Sequence, residues 1–242
     1  MMKKVLIILL SVAILAAAGI ALAGINNTPH NIPQFVSGKT GEPCAYCHTP
    51  HVGGTGDPTY PLWNRSQNGI TYTMYSSPTF DMTPGPTRTQ AQVDMSTRAC
   101  LQCHNGVASE LINYPGRGLK SASAEATYNF TGTDLGNLAN IGTDLRQEHP
   151  VGFTYNPSLD NENNGFPAIN SGKVGTTNLP LYGTDITQVR EMLGCGSCHE
   201  PHDRYTYTGK NATQVYFLRN ATASDNGNAG SAMCKACHVN KY

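Results

Sequence analysis

The stretch Cys44-Ala45-Tyr46-Cys47-His48-Thr49-Pro50-His51 decides how the chain is read. Two cysteines stand two residues apart, and a histidine follows at once. The spacing returns three times, as Cys100-Leu101-Gln102-Cys103-His104, Cys195-Gly196-Ser197-Cys198-His199 and Cys234-Lys235-Ala236-Cys237-His238. These segments use all 8 cysteines of the chain. Disulfides are the default for an even cysteine count in an exported protein, but they give the four histidines no task. Zinc sites built from paired CxxC segments leave the histidines idle too, and exported thiols tend to oxidise before metal loading. Covalent heme uses every residue. Two thiols at this spacing reach the two vinyl groups on one porphyrin edge, and the next residue carries its imidazole to the iron. With only 8 histidines in 242 residues, four such adjacencies are not chance. The expectation is four covalently bound heme c groups on Cys44, Cys47, Cys100, Cys103, Cys195, Cys198, Cys234 and Cys237, with His48, His104, His199 and His238 as proximal iron ligands.

An iron with one imidazole keeps an open axial side, and whether that side is filled separates electron transfer from catalysis or gas binding. Four histidines remain: His30, His51, His149 and His202. The count predicts six-coordinate, bis-histidine iron throughout. His51 and His202 follow His48 and His199 by three residues, in CHTPH and CHEPH. So short a tether cannot reach round to the far face of the same porphyrin, so each is expected on a neighbouring heme. His149 precedes Pro150, which biases it to an extended shape suited to a rigid loop. His30 lies in Asn27-Thr28-Pro29-His30-Asn31-Ile32-Pro33. Met74, Met82, Met95, Met192 and Met233 are assigned to packing rather than to iron.

The amino-terminal residues add a compartment. Lys3 and Lys4 precede an apolar run over 5–22, and Ala21-Leu22-Ala23 precedes Gly24. A basic start, an apolar middle and small residues at a cut site read as a secretory leader. The expectation is a cleaved leader over 1–23 and a single tetraheme domain over 24–242. Losing Lys3 and Lys4 turns the balance of 16 basic and 16 acidic residues slightly acidic. No basic run offers a nucleic-acid surface. The 25 glycines, 15 prolines and single tryptophan predict a poor apolar core that needs a large buried cofactor. The fold class expected is a mostly irregular one. Loops and a few short helices, over about 90–104, 185–198 and 231–238, wrap stacked hemes. There is little β structure beyond a hairpin over 205–218.

In motif order, His-Asn-Ile-Pro-Gln-Phe (30–35), CAYCHTPH (44–51), Thr-Asp-Leu-Arg-Gln-Glu-His-Pro-Val-Gly-Phe-Thr-Tyr (143–155) and CGSCHEPH (195–202) resemble the tetraheme subunits of extracellular cytochrome filaments. These are the outer-membrane cytochrome E type of metal-reducing bacteria and the related archaeal cytochrome nanowires. The resemblance implies a secreted, non-enzymatic electron carrier that polymerises head to tail at the cell surface and exchanges electrons with other redox proteins or extracellular acceptors. It also implies that one distal histidine crosses to the neighbouring subunit. His30, on an amino-terminal arm, is the first candidate for that role and His149 the second. The alternative is a monomeric periplasmic shuttle with the same heme chemistry. A reductase needs an open iron or a CxxCK segment, and the sequence has no CxxCK.

Overall fold

A computed structural model describes residues 25, 28–39, 41–48, 62–63, 65, 69–107, 140–161, 165–202, 207–208, 214–215, 217–219 and 231–239. The leader over 1–23, His51, and the acceptor asparagines Asn26, Asn64, Asn129, Asn211 and Asn220 of Asn-x-Ser/Thr triplets lie outside the described residues.

Helices are short because the sequence interrupts them. The first, α1 (Ile32–Phe35), is a single turn with proline in its first positions, where a missing N–H costs nothing. A 3-10 turn over Pro43–Tyr46 carries the first cysteine segment. The longest helix, α2 (Met95–His104), carries the second. It starts at Asp94, whose carboxylate accepts the Thr97 backbone N–H at 2.9 Å, as an N-cap should. The sequence predicts a helix from 90, but residues 90–92 form a separate 3-10 turn. Val93 and Asp94 are extended, which breaks the two apart.

Strands come in isolated antiparallel pairs. β1 (Thr71–Thr73) pairs with β2 (Thr87–Thr89), Tyr72 opposite Arg88. Tyr72 points inward and its threonine neighbours are more exposed, the period of two that a strand imposes. β3 (Phe153–Thr154) leaves the His149-Pro150 step and pairs with β6 (Met192–Leu193). Between them, β4 (Ile169–Asn170) and β5 (Lys173–Val174) close a tight hairpin. The helix predicted over 185–198 is therefore replaced by a turn, the strand β6 and a single helical turn, α3 (Cys195–Cys198). Cross-strand bonds outcompete helix propensity there. Met192 exchanges both backbone bonds with Tyr182, and Leu193 O accepts from Gly152 N. β7 (Tyr207–Thr208) pairs with β8 (Gln214–Val215), inside the range predicted for a hairpin. The last helix, α4 (Ser231–Cys237), carries the fourth cysteine segment.

Among the described residues the apolar core is three small clusters, each backing a cysteine segment. Tyr72, Met74, Val93, Leu101 and Leu145 pack under α2. Met82, Phe153, Tyr155, Val174, Leu179, Leu181 and Leu193 form the largest cluster, with Met233, Ala236 and Cys237 of α4 against it. Ile32 and Tyr46 form the third, against Cys47 and Cys103. A buried aliphatic or aromatic side chain contributes about 1.5–3 kcal/mol, so clusters this small stabilise segments rather than a whole domain. Gly152 is required where the cluster under α2 meets β3. Its φ is +70°, and a Cβ there would lie 3.1 Å from Val93 and 3.3 Å from Met74. No helix among the described residues is long and apolar enough to cross a membrane.

Candidate metal centres

The eight cysteines are unbridged thiols. The four segments meet in chain order. Cys47 and Cys103 flank the same small cluster. Cys100 and Cys195 are within hydrogen-bonding reach where α2 meets α3. Cys198 feels the charge of Cys237 and Cys234. Burial holds most of these thiols protonated: Cys47 and Cys198 are each pushed up to about 12 and Cys237 to about 11. Cys100 rises too, first through its bond with Cys195 and then through burial. Cys44 and Cys234, in the first and last segments, are exposed, whereas the cysteines of the two middle segments are half-buried.

The histidines come in twos. His30 lies beside His104 with ring centroids 6.2 Å apart. His48 faces His202 at 6.1 Å, and His149 faces His238 at 6.4 Å. Each pair joins a histidine that ends a CxxCH segment to one that does not. The fit to iron can be tested on these distances. An imidazole nitrogen binds a metal at about 2 Å and its ring centre lies about 1 Å behind, so imidazoles on opposite sides of one metal stand about 6 Å apart, centre to centre. All three pairs meet that spacing. Among the described residues no group of three or more His, Cys, Asp or Glu side chains converges as a metal site.

The second ring nitrogen gives an independent test. A ligating histidine usually donates its other N–H to a carbonyl or carboxylate, which fixes the ring and frees the remaining nitrogen. His30 Nδ1 lies 3.4 Å from Pro201 O, His149 Nδ1 is 3.1 Å from Pro150 O, and His202 Nδ1 is 3.4 Å from Glu200 Oε1. In these three of the four non-motif histidines the Nε2 atom is the one left to bind. Glu200 is itself anchored by Arg219 Nη2 at 2.6 Å, and Arg219 Nε donates to Gly196 O at 2.8 Å. The His202 hydrogen bond and then the Arg219 charge pull Glu200 down to about 2.

Burial favours the neutral ring at His30, His48 and His199. His30 falls from 6.5 to about 4, through burial first and then the nearby His104. His48 falls through burial and then His202. The His48 ring also meets Trp63 edge-on at 5.5 Å, and His30 stacks on Phe217 at 4.3 Å. Arg65, fully buried, donates from Nε to Tyr46 O at 2.7 Å and stiffens the first segment against α2.

His199 stands apart. Burial and the neighbouring His104 lower it, but among the described residues no imidazole faces it as a ring partner. His51, the eighth histidine, is outside the described residues. The methionines assigned to packing behave accordingly where described: Met74, Met82 and Met192 are buried in apolar surroundings.

Sequence reasoning found every residue of these pairs and missed two kinds of support. Glu200 and the carbonyls of Pro150 and Pro201 were not singled out, although each sits one or two residues from a histidine and the proximity was a usable signal. Arg65 and Asp94 carried no signal, because their contacts are made across the chain.

No protein-family model matches the chain, and no curated protein matches it.

Proposed function

We propose that the protein is an electron-transfer protein carrying four covalent hemes with bis-histidine iron, exported and assembled head to tail into a conductive filament. The single observation that supports it best is the pairing of His104, His48 and His238 each with a second imidazole about 6 Å away. Bound heme supplies one-electron redox chemistry at iron. The chain's own residues do the rest. Eight cysteines would tether the four groups, and the paired imidazoles would hold their irons and leave no place on them for substrate. Glu200, Pro150 and Pro201 aim the distal rings. The meeting of cysteine segments in sequence order suits hopping along one file, with the exposed Cys44 and Cys234 at its ends. This reading carries no catalytic step.

In the filament one distal histidine would cross to the neighbouring copy, with His30 the first candidate and His149 the second. The His30 ring lies beside His104 and Phe217 of its own chain, and crossing would exchange those contacts for the same ones in the neighbouring copy. A metal bond between copies that does not close on itself makes a fibre.

The test is the native material. Intact mass is expected to show four added hemes, EPR and optical spectra to be low-spin throughout, and electron microscopy to show filaments. A polypeptide without heme mass would sink the reading at its root. Monodisperse particles carrying four low-spin hemes would sink the filament alone and favour a periplasmic shuttle.

A further inference from the structure

The second and third cysteine segments are joined by a buried polar cluster that heme attachment does not explain. Asp94, Ser96 and Thr97, at the start of α2, are buried with at most 3% exposure. The Asp94 carboxylate accepts from Ser96 Oγ and from Thr97 N within its own helix. Ser96 and Thr97 then reach across to α3. Cys195 N donates to Thr97 Oγ1 at 3.0 Å, and Gly196 N donates to Ser96 Oγ at 3.0 Å. The first N–H groups of a helix have no partner in the helix itself. Here the capping residues of one heme-binding helix supply partners for the next. Gly194, just before α3, lies flat on the carboxylate: a Cβ there would come 2.1 Å from Asp94 Oδ1. Around the rim, Met95 N donates to Gly183 O at 3.0 Å, Arg98 Nη2 to Thr184 O at 2.6 Å, and Tyr182 OH to Gly196 O at 3.2 Å.

We infer that Asp94, Ser96 and Thr97 are positioning residues that set the separation and tilt of the second and third hemes. The inference rests on the heme reading above and adds which residues fix one step of the file. Buried hydrogen bonds are directional, whereas an apolar contact lets two helices slide. Transfer between redox centres needs a fixed geometry, and such geometry is held by side chains locked by their own hydrogen bonds. Short helices tied only by cysteines would leave each porphyrin free to rock.

The experiment compares Thr97→Val, Thr97→Ser and the double variant Ser96→Ala with Thr97→Val in the full exported protein. Heme number is read by intact mass, ligation by low-spin EPR, and the heme–heme arrangement by the split circular-dichroism couplet of the Soret band. Thr97→Val is expected to keep four low-spin hemes while the couplet loses amplitude and the redox titration changes shape. The double variant goes further, and Thr97→Ser, which keeps the hydroxyl, matches the parent. A couplet and titration unchanged in the double variant with four hemes retained would overturn the inference. So would equal behaviour of Thr97→Val and Thr97→Ser, including equal loss of heme. A parent protein without heme mass is a different failure, that of the heme reading itself.

Discussion

At the residue scale the chemistry is that of neutral, aimed imidazoles. His30 has a folded pKa of about 4 against an ordinary value of 6.5. The folded chain therefore binds fewer protons than the unfolded one between these values. The corresponding stability is fully present above 6.5 and is lost as pH falls toward 4. Metal binding also needs the neutral ring and competes with protons. On the heme reading, the iron held by His30 is expected to keep that ligand from pH 6.5 to about 4, with acid loss only below. Growth of a high-spin signal from that iron inside the window, followed by visible absorption, would contradict the assignment. On the same reading, exchanging His30 for alanine should convert one heme of four to high spin, the one carried by Cys100 and Cys103. At Gly194 the backbone is extended (φ −134°, ψ −178°), so alanine fits the conformation and fails only on space. Gly194→Ala should cost about 1–3 kcal/mol, the range for overpacking a tight site, read as a lower melting temperature. The four CxxCH segments were legible because their residues are adjacent in sequence. The pairing of His30 with His104, or of His149 with His238, was not, because it depends on which loops come together.

At the scale of elements, small apolar clusters back the first, second and fourth cysteine segments. Leu101 lies between Cys100 and Gln102 and is fully buried against Tyr72, Met74, Val93 and Leu145. Leu101→Ala is expected to cost about 2–5 kcal/mol, as for other buried leucines. A melt followed at the Soret band checks this, and a loss under about 0.5 kcal/mol, the scale of surface changes, would show that the cluster does not hold α2. Element reading from sequence did well where turns and caps are local. The α4 helix over Ser231–Cys237 and the β7–β8 pair fall where composition put them. It failed over 185–198, because the partners of Met192 and Leu193 are Tyr182, Thr154 and Phe153. A window of sequence cannot weigh a strand that arrives from the His149-Pro150 loop.

At the scale of the whole molecule, the proposed filament depends on which distal histidine crosses between copies. On that reading, His30→Ala is expected to leave the subunit with four attached hemes and to abolish filaments in electron micrographs. Filaments of normal length from that variant would move the interface elsewhere. The poor apolar core was legible from composition alone. What composition did not indicate was its division into three clusters, each behind a cysteine segment, since that follows from the order in which the segments meet.

The partners in each imidazole pair come from far apart in the chain: His48 waits for His202, His149 for His238 and His30 for His104. A polypeptide threaded across a membrane from its amino terminus delivers the early rings long before the late ones. On the heme reading, the first iron is exposed on one side until most of the polypeptide has emerged. Maturation then needs an escort or a temporary occupant for that vacancy. Chains cut short before residue 202 would leave behind a reactive, peroxide-sensitive heme rather than a smaller working wire.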